Sequence, residues 1–239
     1  MDTILFLHGW GGNEQSFAPI MPVLKKHFRC ITLGMPMFNN NDTDEPGTPW
    51  TLEDYANHVE NYLDSLGVTK CHIVAHSFGA RVTCLLVTRN PKRYEKLILT
   101  GAAGIRPRQK IRTMLKIWSY KVKRKFAKIF FRNTSSNDLT KKKKQKEYGS
   151  VEYRQLSLQG KITFQNIIKR DLKPEIKQIT NQTLLIFGKS DTATPVKMGK
   201  KWARLSQNAA LKIYENSGHF CFLDEPNKFL TDTLKFLAQ

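Results

Sequence analysis

A chain of 239 residues with 40% hydrophobic residues can bury one sizeable core and is not of disordered composition. Its net charge of +19 is uneven: residues 106–173 carry 21 lysines and arginines against 4 acidic residues, a balance of +17, and the rest of the chain is near neutral at +2. No apolar run reaches membrane-spanning length, and the run Ile4–Leu7 is too short for a signal peptide and has no basic region before it, so a soluble, cytoplasmic protein is expected.

Taken in chain order, Ile4–Leu7 reads as a buried strand ending at His8-Gly9, and Phe28–Leu33 as a second. Asn39–Pro49 has the composition of a surface loop. Thr51–Leu66 places Leu52, Tyr55, Ala56, Val59, Tyr62, Leu63 and Leu66 at helical spacing, with a capping hydroxyl and acidic residues at its start and Gly67 at its end. His72–Ala75 is a third strand, followed directly by a helix over Phe78–Arg89, and Leu97–Thr100 is a fourth. After the basic segment come strands at Leu184–Phe187 and Leu211–Tyr214 and helices at Pro195–Ser206 and Glu225–Leu237, the last with Pro226 in its first turn. Continuous apolar strands alternating with helices predict an α/β fold, a mostly parallel central sheet covered on both faces.

Residues 105–173 break that rhythm. Ile111, Leu115, Trp118, Val122, Phe126, Ile129 and Phe130 recur at three- and four-residue spacing opposite a lysine- and arginine-rich face, Asn133–Lys146 is polar, and Val151–Leu158 and Thr163–Leu172 read as further helices. The expected organisation is a core domain of residues 1–104 and 174–239 with a basic helical cap inserted at 105–173. The four cysteines show no metal-ligand spacing and read as free, buried thiols; no metal or cofactor is expected.

Four strand ends carry the chemistry. Ala75-His76-Ser77-Phe78-Gly79 is a small-x-Ser-x-Gly pattern between strand and helix, where a nucleophile is held in a tight turn that exposes its hydroxyl; alanine stands where glycine is usual. His8-Gly9-Trp10-Gly11-Gly12 follows the first strand and can present backbone N–H groups to an oxyanion, Trp10 and Phe78 being the expected donors. Gly188-Lys189-Ser190-Asp191 places an acid after the fifth strand, where it either orients a histidine or caps the helix at Pro195. Asn216-Ser217-Gly218-His219 places a histidine after the sixth. Asp224 is a rival acid close to His219, but it precedes Glu225-Pro226 and reads as a helix cap. His27 and His58 fall in amphipathic helices, His72 starts a strand, His76 flanks the serine and His8 braces its glycine loop.

These motifs, with Ala80-Arg81-Val82 after the serine, Thr192-Ala193-Thr194-Pro195 after the acid, and Thr100–Arg108 leading into a lysine-rich helix, resemble the bacterial α/β-hydrolase superfamily. The resemblance spans nearly the whole chain. It implies a sheet of about eight strands, with this chain starting at the equivalent of the third, and a triad of Ser77, Asp191 and His219. Serine at the elbow argues against the epoxide hydrolases and haloalkane dehalogenases of that fold, which use aspartate. The expected activity is a serine hydrolase that cleaves a small carboxylic ester or related acyl substrate through an acyl-enzyme, with substrate choice set by the cap. The cap's basic face can also meet an anionic membrane surface or an acidic substrate. No nucleic-acid recognition motif is present. The other class of function is a non-catalytic or signalling protein on a hydrolase scaffold, binding anionic partners through the cap.

Overall fold

The computed structural model describes residues 1–36, 48–106 and 156–239. The chain divides into two compact units, residues 1–106 with 151–239, and residues 107–150. The second unit lies outside the described residues, as do most of the expected loop 39–49 and most of the expected helix 151–158.

Six strands form one sheet: β1 (Thr3–Leu7), β2 (Arg29–Leu33), β3 (Cys71–His76), β4 (Tyr94–Thr100), β5 (Thr183–Gly188) and β6 (Ala209–Tyr214), in the order β2-β1-β3-β4-β5-β6. Every neighbouring pair is parallel. Parallel neighbours need crossover connections, and the crossovers cover both faces of the sheet. All six residues of β3 and of β5 are buried, which is why these strands read as unbroken apolar runs.

Successive side chains go to opposite faces. Leu5, Leu7, Ile73, Ala75, Leu97, Leu99, Leu185 and Phe187 form one core with α2 (Leu52–Ser65), α3 (Phe78–Arg89) and Trp202 of α6 (Val196–Leu205). Ile4, Phe6, Val74, Ile98, Leu184 and Ile186 form the other, with Leu24 of α1 (Met21–Leu24), Phe222 of α7 (Cys221–Asp224) and Phe229 of α8 (Pro226–Ala238).

The helix limits follow local chemistry. Thr51 and Asp54 form a reciprocal capping box at the start of α2, and Gly67 takes the left-handed conformation (φ 64°) just past its end. The expected helix Thr163–Leu172 is shifted: α4 runs Leu158–Lys169, because Ser157 caps it by accepting from the Gly160 N–H at 2.9 Å, and Arg170 is already extended. A separate short helix, α5 (Lys173–Ile176), opens with Pro174 in its first turn. His27, expected in a helix, lies in the turn between α1 and β2. Cys71, Cys84 and Cys221 are free and buried, and Cys30, on an edge strand, is half-buried.

Among the described residues no helix is long and apolar enough to cross a membrane.

Candidate active site

Ser77 has φ 48° and ψ −102°, the only positive φ of a non-glycine residue among the described residues. A side chain at such a φ is strained, so the surroundings must enforce it. Three backbone bonds do. The Ser77 N–H donates to Thr100 O at 3.0 Å, and Ser77 O accepts from Ala80 N and Ala103 N, each at 3.2 Å. The turn also needs a small residue two positions on. A Cβ on Gly79 would lie 2.8 Å from the carbonyl carbon of Leu7 and closer still to its oxygen. Alanine at position 75 is accommodated because it lies inside β3, paired with Leu7 and Leu99.

The acid and the histidine come from neighbouring loops. Ser190 N donates to Ser217 O at 3.1 Å, and the loops cross so closely that a Cβ on Gly188 would lie 2.7 Å from the carbonyl carbon of Ser217. His219 Nδ1 lies 2.7 Å from Asp191 Oδ2. The Asp191 side chain is fully buried, and its other oxygen, Oδ1, accepts from the N–H groups of Ala193 and Thr194, each at 2.8 Å. Burial alone would raise its pKa, but hydrogen bonds from His219 and from Thr194 outweigh burial and hold it below the usual carboxylate range. An ionised carboxylate can only accept, so His219 Nδ1 carries a proton and Nε2 is left as the basic nitrogen.

Sheet register brings serine and histidine to one place. His76 pairs with Thr100, which sets Ser77 beside Gly101. A Cβ on Gly101 would lie 3.1 Å from His219 Nδ1, so this glycine (φ 53°) leaves room for the ring. His76 sits between: its Nε2–H donates to His219 O at 3.1 Å, its ring centroid is 4.6 Å from that of His219, and a Cβ on Gly9 would come 3.0 Å from its Cε1. Burial, and then the proximity of His219, lower the His76 pKa to about 3. His76 therefore stays neutral.

The glycine loop after β1 is braced by His8, as expected. Met35 N–H donates to His8 Nε2 at 3.0 Å, so Nδ1 is the protonated nitrogen and donates to Gly9 O at 2.8 Å. Burial lowers the His8 pKa, which keeps this neutral tautomer. Trp10 and Phe78, the expected oxyanion donors, are neighbours, with ring centroids 5.7 Å apart edge to face. Phe78 opens α3, directly after Ser77. On its other side the Trp10 ring meets Phe164 of α4 at 4.7 Å.

The structure thus gathers Ser77, Asp191, His219, Trp10 and Phe78 at the carboxyl ends of β1, β3, β5 and β6. Asp224 goes elsewhere. It closes α7, and its Oδ2 accepts from the Gly218 N–H at 2.8 Å, while the N-cap position of α8 belongs to Glu225. Asp191 does not cap α6 either, whose N-cap is Pro195. Sequence reasoning missed Thr194, whose hydroxyl lies against both Asp191 and His219, and Gly101. The threonine three residues after the acid was the only available signal. Among the described residues no group of three or more His, Cys, Asp or Glu side chains is arranged to hold a metal ion.

A family model described as the alpha/beta hydrolase fold matches residues 2–147 and 120–226, and the chain belongs to that family. Among curated relatives, 2-hydroxy-6-oxo-6-phenylhexa-2,4-dienoate hydrolase of Comamonas testosteroni is 23% identical over all of this chain and 88% of that protein. The pimeloyl-[acyl-carrier protein] methyl ester esterase of Legionella pneumophila (strain Paris) is 26% identical over 99% of this chain and 95% of its own length. Among solved structures, an esterase from Exiguobacterium antarcticum superposes with a TM-score of 0.74 at 22% identity, covering 100% of this chain and 92% of the other. These relatives are hydrolases, which supports hydrolase activity for this chain.

Proposed function

We propose that the protein is a serine hydrolase acting on a small carboxylic ester or related acyl substrate through an acyl-enzyme intermediate. The observation that carries this reading is the 2.7 Å Asp191–His219 bond beside a serine held at φ 48°. In the proposed reaction Ser77 Oγ attacks the carbonyl carbon and its proton passes to His219 Nε2. The tetrahedral oxyanion is met by the N–H groups of Trp10 and Phe78, each such donor contributing about 3 kcal/mol to the transition state. The C–O bond to the leaving alcohol then breaks, and His219 gives its proton to that oxygen. Water, deprotonated by His219, attacks the acyl-enzyme and releases the carboxylic acid and free Ser77. Asp191 stays ionised and fixes the ring throughout.

Residues 105–173 are proposed as a basic cap that selects the acyl group. The balance of +17 in residues 106–173 fits an anionic substrate or an anionic membrane surface at that cap. A second reading, hydrolysis of a C–C bond next to a carbonyl, is favoured by the curated relatives whose names denote 2-hydroxy-6-oxo-dienoate hydrolases. The same serine, histidine and acid would serve it.

The test is a panel of p-nitrophenyl esters of graded chain length, with thioester, amide and vinylogous 1,5-diketone analogues. A burst of leaving group, lost in Ser77→Ala, together with fluorophosphonate labelling of Ser77, is the expected result. Equal rates in the wild type and Ser77→Ala would overturn the acyl-enzyme reading. Turnover of the diketone with none of the esters would favour C–C cleavage. Absence of labelling and turnover would favour a non-catalytic protein that binds anionic partners.

A further inference from the structure

We propose that Thr194 is a positioning residue for the Asp191–His219 pair, its single hydroxyl proton tuning how strongly the carboxylate holds the ring; only the kinetic readout of this proposal rests on the acyl-transfer reading. Thr194 is 4% exposed, and three polar groups surround its Oγ1: Asp191 Oδ2 at 2.7 Å, Gly101 O at 2.9 Å and His219 Nδ1 at 3.2 Å. A hydroxyl has one proton and two lone pairs. Because Asp191 is ionised, Nδ1 is the protonated ring nitrogen, and toward it Oγ1 can only accept. The hydroxyl proton therefore has two acceptors, Asp191 Oδ2 and Gly101 O, and can serve one at a time.

The carboxylate oxygen is the stronger acceptor at the shorter distance, so the proton rests there. Asp191 Oδ1 is already taken by two backbone N–H groups, so Oδ2 alone binds the ring, and a second donor on Oδ2 draws charge away from it. When His219 takes the serine proton and becomes cationic, the hydroxyl can turn to Gly101 O. That frees Oδ2 for the imidazolium and points an Oγ1 lone pair at Nδ1. The pair then tightens as charge develops, with no movement of the backbone.

The titratable groups around His219 are Asp191 from the β5–α6 loop, His76 at the end of β3, and Cys221 and Asp224 on α7. None of the last three contacts Thr194. Asp224 is held by Gly218 N, and the Cys221 thiol donates to Gly218 O at 3.6 Å. A change on replacing Thr194 is therefore attributable to its own hydroxyl.

The test compares Thr194→Val, nearly isosteric and without a hydroxyl, with Thr194→Ser, which keeps it. In Thr194→Val kcat should fall about fivefold with KM unchanged, and the acidic limb of kcat/KM should move down by about half a pH unit, because the imidazolium loses the Oγ1 lone pair at 3.2 Å and the tightening that the turn of the hydroxyl supplies. The low-field proton resonance of His219 Nδ1–H should shift in Thr194→Val and return in Thr194→Ser, as should the kinetics. An unchanged resonance and pH profile in Thr194→Val, or a serine variant that restores neither, would overturn the proposal. If fluorophosphonate fails to label Ser77 in the wild type, the acyl-transfer reading falls and the resonance still decides the role of Thr194.

Discussion

Arg81 of α3 donates through Nη1 to two carbonyls at the end of α4, Ile167 O at 3.0 Å and Arg170 O at 3.1 Å. It is 8% exposed, and among the described residues no carboxylate lies within ion-pair distance. Its charge is met instead by the negative end of a helix. The contact ties the helix that packs on the Trp10 loop to the helix that begins at the serine. Arg81→Met should lower the unfolding free energy by about 2 kcal/mol, since one buried and one part-buried carbonyl lose their donor. Urea denaturation reads this directly. An unchanged midpoint would show that the buried guanidinium costs as much as its bonds return.

Asp191→Asn should reduce turnover by on the order of 10⁴-fold while leaving the fold intact, because an amide no longer enforces protonation at Nδ1. Stability carries a second signature. The Asp191 pKa is lowered in the folded protein, so its contribution is fully present above the ordinary carboxylate value of about 3.9 and is lost as pH falls through the lowered folded value. The stability gap between the wild type and Asp191→Asn should therefore shrink between pH 5 and pH 2. A constant gap would contradict the assignment of the charge.

His76 acts in a different pH window. Its folded pKa of about 3 lies below the unfolded value near 6.5, so the unfolded chain binds the extra proton and stability falls as pH drops from about 6.5 toward 3. The loss between pH 7 and pH 4 should be about 3 kcal/mol from this residue alone. His76→Gln keeps an N–H for His219 O and cannot titrate. Its unfolding free energy, measured by urea at each pH, should be flatter over that range, and an equal slope would show that His76 does not carry the effect.

Gly79→Ala sets two effects of opposite sign against each other. Alanine favours a helix over glycine by about 1 kcal/mol. The new Cβ, however, would meet the backbone of β1 at Leu7, and backbone cannot swing aside. Overpacking of this kind costs about 2–3 kcal/mol, so a net destabilisation and slower labelling of Ser77 are expected. A net gain in thermal stability would mean that β1 shifts freely.

The fold was legible because the sheet is parallel and covered on both faces. Leu184–Phe187 and His72–Ala75 announce themselves without a partner, since every position must be buried. The site was legible from the ends of those strands, where Ser77, Asp191 and His219 each follow an apolar run. What sequence could not settle was side-chain allegiance. Asp224 is five residues from His219 and turns to the Gly218 N–H, whereas Asp191, 28 residues away, meets the ring. Thr194 reads as an ordinary residue before a proline, because nothing local says its hydroxyl is shared with Gly101 O and Asp191. Gly188 reads as a strand end, and only the crossing of the Ser217 backbone shows why a side chain is excluded there. The start of α4 is not legible from apolar spacing, because its cap, Ser157, lies ahead of the periodic run.

The chain leaves the sheet at the end of β4 and re-enters at Thr183, directly alongside Leu97. Because the two strands are parallel, Gly101 leaves at one end of the strands and Gln182 returns to the other, so residues 101–182 form a crossover between neighbouring strands. Doubling the length of such an excursion adds only about 0.6 kcal/mol of closure entropy. The crossover's two ends belong to the frame of the site: Ala103 N–H donates to Ser77 O, Gly101 O accepts from Thr194, and Phe164 packs on Trp10. An insertion between Arg106 and Leu156 would leave those contacts in place, so length is tolerated in the middle of the crossover and constrained at its ends.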